Sequence, residues 1–292
     1  MNILLLGSGG LLGRYLTHEL AGHALTAQTH KDTDITDASR LDELFARPWD
    51  AVINAAAACD FDACEKDPVG TGRINRDAAL DLARRCAAQN VLFVQYTSDY
   101  VFRGDEDRIL GESEVPHPLS VYGRQKADLE ELIPNLCPRS LILRLAWLYG
   151  MDGKTFMSRM PDLLSRQNSL RTAAGKKGCC LYAADGALWT RKLVEAGHTG
   201  LFNLVNPGET SWEEFASTTL AQMTFMGLAP KCTSIEKVPF AQLGANWAKR
   251  PRYSGLDPAK LALALPPGPR LWREALGDFL SSWKSVAAPR TM

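Results

Sequence analysis

Short apolar runs and amphipathic stretches alternate through the first half of the chain. Asn2-Ile3-Leu4-Leu5-Leu6 is apolar without interruption and is stopped by glycine, the pattern of a strand buried on both faces. Helical periodicity follows from Leu11 to Leu20. Leu25-Thr26-Ala27-Gln28 reads as a weaker second strand, and Thr36 or Asp37 can cap a helix that buries Leu41, Leu44 and Phe45. Ala51-Val52-Ile53-Asn54-Ala55 is another buried strand. A long helix is expected from about Thr71 to Cys86, with Ile74, Ala78, Leu82 and Ala83 on its apolar side. Val91-Leu92-Phe93-Val94-Gln95-Tyr96 is a strand that runs directly into Thr97-Ser98-Asp99. Pro116 and Pro118 punctuate a loop before a helix carrying Tyr122 and Lys126, and Ser140-Leu141-Ile142-Leu143-Arg144-Leu145 is the next strand.

Regular alternation of strand and helix predicts an α/β fold built on a doubly wound parallel sheet. After roughly residue 150 the pattern loosens. Helices are expected near Phe156 and near Trp212, the latter capped by Ser211, and Leu201-Phe202-Asn203-Leu204-Val205 reads as a strand returning to the main sheet. The expected division is therefore 1–152 and 153–292, with a segment near 183–206 rejoining the first part. No internal repeat is visible, and Ala287 to Met292 are expected to fray.

Composition narrows the function classes. The chain has 292 residues, enough for a substantial core. Lysine plus arginine equals aspartate plus glutamate at 33 each, so no global field draws in nucleic acid or an anionic membrane. No apolar run reaches the length of a membrane span, and the strand beginning at Asn2 leaves no room for a secretion leader, so a cytoplasmic protein is expected. The seven cysteines (59, 64, 86, 137, 179, 180 and 232) show no metal-ligand spacing and read as small buried hydrophobes in a reducing compartment.

Gly7-Ser8-Gly9-Gly10-Leu11-Leu12-Gly13 sits between the first strand and first helix, where backbone N–H groups can hold a pyrophosphate. This makes residues 1–152 a candidate NAD(P)-binding Rossmann-type domain and 153–292 a mainly substrate-binding region. An acidic side chain at the end of the second strand would favour the ribose diol of NADH. Gln28, His30 and Lys31 stand there instead, so NADPH is expected, with NADH as the alternative. Tyr122 and Lys126 lie four residues apart and share a helix face, where an ammonium can lower a phenol's pKa towards the working range of a proton donor. Strand alternation allows only one of Thr97 and Ser98 to face the cleft and polarise a carbonyl. Asp99 reads as a loop-capping carboxylate.

These motifs, together with Asn54-Ala55-Ala56-Ala57, Tyr100-Val101-Phe102, Arg144-Leu145-Ala146-Trp147-Leu148-Tyr149-Gly150 and Arg250-Pro251-Arg252 with Ser254 and Leu256-Asp257, resemble the dTDP-4-dehydrorhamnose reductase family of extended short-chain dehydrogenase/reductases. The resemblance implies Ser98, Tyr122 and Lys126 as catalytic residues and Ser98 and Trp147 as substrate contacts. It implies cofactor contacts at Gly7, Gly10, Leu11, Leu12, Gly13, Asp34, Ile35, Ala55, Ala56, Ala57, Tyr122 and Lys126. Two departures stand out. Lys176-Lys177-Gly178-Cys179-Cys180-Leu181 replaces a segment that usually carries Asp-Gln, a glycine and Pro-Thr, and Tyr15 replaces a glutamate that some members link to magnesium, so no metal is expected. The implied function is NADPH-dependent reduction of a 4-keto group on a nucleotide-linked deoxysugar, in dTDP-rhamnose or related carbohydrate biosynthesis. A non-catalytic cofactor-binding subunit and a nucleotide-sugar epimerase or dehydratase are the competing readings. A nucleotide sugar is the expected partner, with neither nucleic acid nor membrane, and a homodimer is compatible with the chain.

Overall fold

The computed structural model describes residues 1–243 and 248–287. Six parallel strands form the main sheet: β1 (Asn2–Leu6), β2 (Ala24–Gln28), β3 (Ala51–Asn54), β4 (Leu92–Ser98), β5 (Ser140–Leu145) and one later strand, Gly200–Leu204. Their order is β2-β1-β3-β4-β5 followed by that later strand, so the winding direction reverses between β1 and β3. β3 and β4 are buried along their whole length, which is why apolar residues fill both of their faces without alternation, with Asn54, Gln95, Thr97 and Ser98 as buried polar exceptions.

Helices cover both faces. α1 (Leu11–Glu19) packs Leu12 and Leu16 on one face, whereas α2 (Ala38–Phe45) packs Leu41, Leu44 and Phe45 on the other. Asp37, rather than Thr36, caps α2 by accepting from the Ser39 and Arg40 N–H groups. The single long helix expected from Thr71 is three pieces preceded by a short one. α3 (Phe61–Lys66) and α4 (Pro68–Gly72) are separated by Asp67, and a single π turn (Arg73–Asp77) joins α4 to α5 (Ala78–Ala88). Asp67 accepts from Gly70 N, and Pro68 occupies the first turn, where its missing N–H costs nothing. α6 (Val121–Leu136) then leads to β5.

The second part is built around a smaller sheet. Here β6 (Leu148–Tyr149), α7 (Met160–Arg166), β7 (Ser169–Ala173) and β8 (Lys177–Tyr182) precede α8 (Ala183–Glu195), which packs back against α1. β9 (Gly200–Leu204) is the sixth strand of the main sheet, paired in parallel with β5. β10 (Asn206–Ser211), α9 (Trp212–Phe225), β11 (Ser234–Val238), β12 (Tyr253–Ser254), α10 (Ala259–Ala264) and α11 (Trp272–Ala287) complete the chain. β8 is the centre of the second sheet, flanked by β10, β12 and β6, and β11 pairs with β7. The helix expected near Phe156 begins at Met160, because Pro161 is tolerated only in a first turn, and Phe156 instead stacks on Trp212. Ser211 caps α9 through Glu214 N. Fraying expected beyond Ala287 falls outside the described residues.

Candidate active site

The C-terminal ends of β1, β3, β4 and β5 converge where the sheet reverses direction, the place open α/β sheets use to bind ligands. The glycine turn after β1 folds tightly here. Gly7 has φ +81°, and a Cβ on it would lie 2.5 Å from Ala56 N; a Cβ on Gly13 would lie 2.1 Å from the Gly7 carbonyl oxygen. α1 opens at Gly10 with no side-chain cap and no acidic residue in its first turn. Its N-terminal N–H groups and dipole therefore suit an anion, and the crevice fits the pyrophosphate of a dinucleotide. Arg14 stretches back to donate to the Gly9 carbonyl.

Beyond β2, the Gln28 carbonyl accepts from Gly7 N and Ser8 N, and its amide oxygen accepts from the Thr33 hydroxyl. His30 and Lys31 are exposed beside it. Asp34 accepts from the Thr36 backbone and hydroxyl, and these two bonds hold its carboxyl below the usual range. Ile35 is buried in the core beneath, so its side chain packs and only its backbone borders this end of the cleft.

The segment after β3 is held by groups that sequence reading missed. Asn54 reaches across to Gln95 at 2.8 Å, and its other amide atom accepts from Ala56 N. Asn75, turned inward by the π turn, accepts from Ala58 N, donates to the Ala58 carbonyl and donates to Gln125 on α6. Ala55, Ala56 and Ala57 are thus fixed between the glycine turn and α6. Asn54 and Gln95 interrupt apolar stretches, which was the available signal; Asn75 and Gln125 stand among charged neighbours and gave none.

α6 starts at Ser120, whose hydroxyl accepts from Gly123 N. A Cβ on Gly123 would lie 2.3 Å from the Tyr100 carbonyl, so this helix sits directly on the turn following β4. Tyr122 and Lys126 are both buried there. The Tyr122 ring packs edge-on to Phe61 and Tyr100, and the Lys126 ammonium lies 5.7 Å from its centre while donating to the Tyr96 carbonyl at 3.1 Å. The expected lowering of the phenol is reversed. Burial, then the neighbouring Cys59, Asp99 and Tyr100, push Tyr122 well above its ordinary value, and burial pushes the Lys126 ammonium down.

Ser98 and Thr97 separate as alternation requires. Thr97 turns away and donates to Glu130 at 2.6 Å, within a buried pair formed by Glu130 and Arg144. Ser98 donates to Asp99 Oδ1 at 2.8 Å and accepts from Tyr100 N. Asp99 opens the short turn (Asp99–Val101) that follows β4. It is 2% exposed, its Oδ2 is buried without a hydrogen-bond partner, and burial raises its carboxyl to about 6 against the opposing pull of Ser254, Ser98 and Lys176.

Trp147 follows β5 two residues beyond Leu145, the register partner of Ser98. It is half-buried, edge-on to Trp212, which in turn contacts Phe156 and Phe240. Gly178 permits this, since a Cβ there would meet Ser254 Oγ at 2.7 Å and Trp147 at 3.1 Å. The altered segment 176–181 is mostly β8, and Cys179, Cys180 and Leu181 are buried packing residues. Tyr15 accepts from Met151 N and packs on Tyr182. Six cysteines are buried as expected; Cys59 is exposed and is among the groups that raise Tyr122.

Comparison with known proteins agrees with this geometry. The RmlD substrate binding domain model matches residues 1–285. A dTDP-4-dehydrorhamnose reductase of Streptomyces griseus is 32% identical over 94% of this chain and 91% of its own length. The Bacillus subtilis spore coat polysaccharide biosynthesis protein SpsK is 32% identical over 97% of this chain and 98% of its own. Among solved structures, the dTDP-4-dehydrorhamnose reductase of Bacillus anthracis in complex with NADP superposes with a TM-score of 0.88 at 27% identity, covering 96% of this chain and 98% of that one. With near-complete coverage in sequence and in structure, this chain belongs to the dTDP-4-dehydrorhamnose reductase (RmlD) family.

Proposed function

We propose that the chain is an NADPH-dependent reductase of a 4-keto group on a nucleotide-linked deoxysugar, acting as the dTDP-4-dehydrorhamnose reductases it resembles do. The observation that carries this reading is the burial of Ser98 at the C-terminal end of β4 with Tyr122 and Lys126, on a helix tied through Asn75 to the segment that abuts the glycine turn, in a chain matched over residues 1–285 by the family model. NADPH, when bound, supplies the hydride. Gly7, Gly10, Leu11, Leu12 and Gly13 receive its pyrophosphate, Ala55 to Ala57 line its passage, and the 2′-phosphate falls to the region of Gln28, His30 and Lys31, where no carboxylate on the strand end repels it.

Tyr122 then has one task, to deliver a proton to the sugar oxygen. Its raised pKa keeps the phenol protonated at neutral pH, so the donor is loaded before the reaction begins. Lys126, anchored on the Tyr96 carbonyl, fixes a positive charge beneath the phenol and stabilises the phenolate left behind. Ser98 and Trp147 orient the sugar from the ends of β4 and β5. Residues 1–152 form the cofactor domain and 153–292 mainly the substrate region, with 183–206 lent back to the main sheet. Seven unpaired cysteines support a reducing, cytoplasmic setting, and a homodimer is the simplest assembly.

Turnover is followed as loss of NADPH absorbance with dTDP-4-keto-6-deoxysugars. Tyr122→Phe is expected to lower kcat by about 100-fold or more while NADPH affinity stays within a few-fold. A variant that retains near-normal turnover removes Tyr122 from the chemistry.

A further inference from the structure

Ser98 and Asp99 are locked together at the end of β4. Ser98 Oγ lies 2.8 Å from Asp99 Oδ1 and also accepts from Tyr100 N at 3.2 Å. A serine hydroxyl has one proton to give and two lone pairs to fill. Opposite a carboxylate, which only accepts, that single proton is spent on Asp99 and none is left for a substrate oxygen. A neutral carboxyl at the same 2.8 Å carries a proton of its own, and the bond can then run the other way.

The surroundings of Asp99 favour that neutral form. The residue is 2% exposed, and its Oδ2 is buried without a hydrogen-bond partner. Carboxylates this deep are otherwise paired with a cation. The groups facing Asp99 are Ser98 and Tyr100 from its own turn, Tyr122 from α6, Ser254 from β12, and Lys176 and Cys179 from the β8 side. Lys176 is the cation in that set, and it gives two of its N–H bonds to the carbonyls of Pro251 at 2.6 Å and Arg250 at 3.1 Å. Burial raises the Asp99 carboxyl to about 6 over the opposing pull of Ser254, Ser98 and Lys176.

We propose that Asp99 is a positioning residue that acts in its protonated form, donating to Ser98 Oγ and so releasing the Ser98 proton towards the sugar oxygen. Both lone pairs of Ser98 are then filled, by Asp99 and by Tyr100 N, and its O–H has one direction left. Asp99 gives up no proton in the reaction; the transferred proton still comes from Tyr122. Ionisation of Asp99 turns the hydroxyl back onto the carboxylate and removes a donor from the developing alkoxide. Loss of one such donor slows a reaction by roughly 100-fold.

The proposal deepens the reductase reading and rests on it. Asp99 protonation is read without substrate from the carboxyl signal of ¹³C-aspartate-labelled protein, assigned by its loss in Asp99→Asn, with a midpoint expected near 6. Single-turnover NADPH oxidation with a dTDP-4-keto-6-deoxysugar is expected to slow by about five-fold or more between about pH 6 and about pH 8. Tyr122, held well above its ordinary value, stays protonated across that range. Ser98→Ala, slower throughout, should lose this decline because no hydroxyl remains to turn. Asp99→Asn should lose it because an amide does not titrate. A rate that rises through the Asp99 midpoint, or a decline that survives in either variant, overturns the proposal and leaves the reductase reading standing. An Asp99 midpoint in the ordinary carboxylate range does the same. A protein that oxidises no NADPH with any 4-ketosugar nucleotide removes the reductase reading and the proposal with it.

Discussion

At the candidate site the exposed Cys59 is near enough to the buried Tyr122 to raise its phenol, and every other cysteine is buried. Iodoacetamide should therefore label Cys59 first, place its amide across the phenol and stop turnover. Saturating NADPH should slow that inactivation, and Cys59→Ser should abolish the sensitivity. Mass spectrometry locates the label, and full turnover after complete labelling of Cys59 would contradict the placement. Asp99 makes a second, thermodynamic prediction. Its folded carboxyl titrates near 6 against 3.8 unperturbed, so the fold binds this proton more tightly than the unfolded chain does. Its contribution to stability is present in acid and is lost as pH rises through about 6. Asp99→Asn, which keeps an acceptor for Ser98, is expected to stabilise the protein by about 1–3 kcal/mol at pH 7 and by little near pH 4, as read by denaturant unfolding at the two pH values. Equal stabilisation at both would contradict the buried charge. The shared helix face of Tyr122 and Lys126 was legible in the sequence because their spacing carries it, and strand alternation parted Ser98 from Thr97. Asp99, Cys59 and Lys176 were not legible, since their meaning comes from burial beside residues far along the chain.

Elements with local causes were the legible ones. Uninterrupted apolar runs gave β1, β3, β4 and β5, and side-chain caps gave α2 and α9. The π turn at Arg73–Asp77 was not readable, because it exists to aim Asn75 at Ala58 and Gln125, partners known only from the fold. The second sheet was equally hidden. β6 and β12 have two residues each, and β8 joins them through pairings with distant segments. The glycine turn allows its local reading to be tested position by position. A Cβ at Gly13 would strike the Gly7 carbonyl at 2.1 Å, whereas one at Gly9 would meet only Thr29 at an ordinary 3.5 Å. Gly13→Ala is expected to cost about 2–4 kcal/mol through forced backbone movement and to weaken NADPH binding. Gly9→Ala should leave Tm close to that of the unsubstituted chain. Equal Tm losses in the two variants would show that contact with the Gly7 carbonyl does not set the requirement.

On the scale of the whole molecule, the two parts are joined through the end of the sheet that carries the site. Arg144 on β5 is fully buried and forms a two-pronged pair with Glu130 on α6, at 2.6 and 3.0 Å, while its third nitrogen donates to Asn203 on β9. Thr97 on β4 donates into the same carboxylate, and Asn203 donates onward to the carbonyls of Leu110 and Asp257. One ion pair thus fastens two central strands, the Tyr122 helix, the returning strand and the approach to α10. Such a pair gives little net stability over an apolar pair of the same shape, yet removing one partner leaves the other charge buried alone. Arg144→Met is therefore expected to destabilise the fold by about 3–5 kcal/mol, and Glu130→Leu by a comparable amount. The double variant Arg144→Met with Glu130→Leu should recover much of that loss, because no isolated charge remains. Denaturant unfolding of the four proteins measures the coupling directly. Additive losses would mean that the two side chains act independently, and the network would then not be what aligns α6, with Tyr122 and Lys126, on the end of β4.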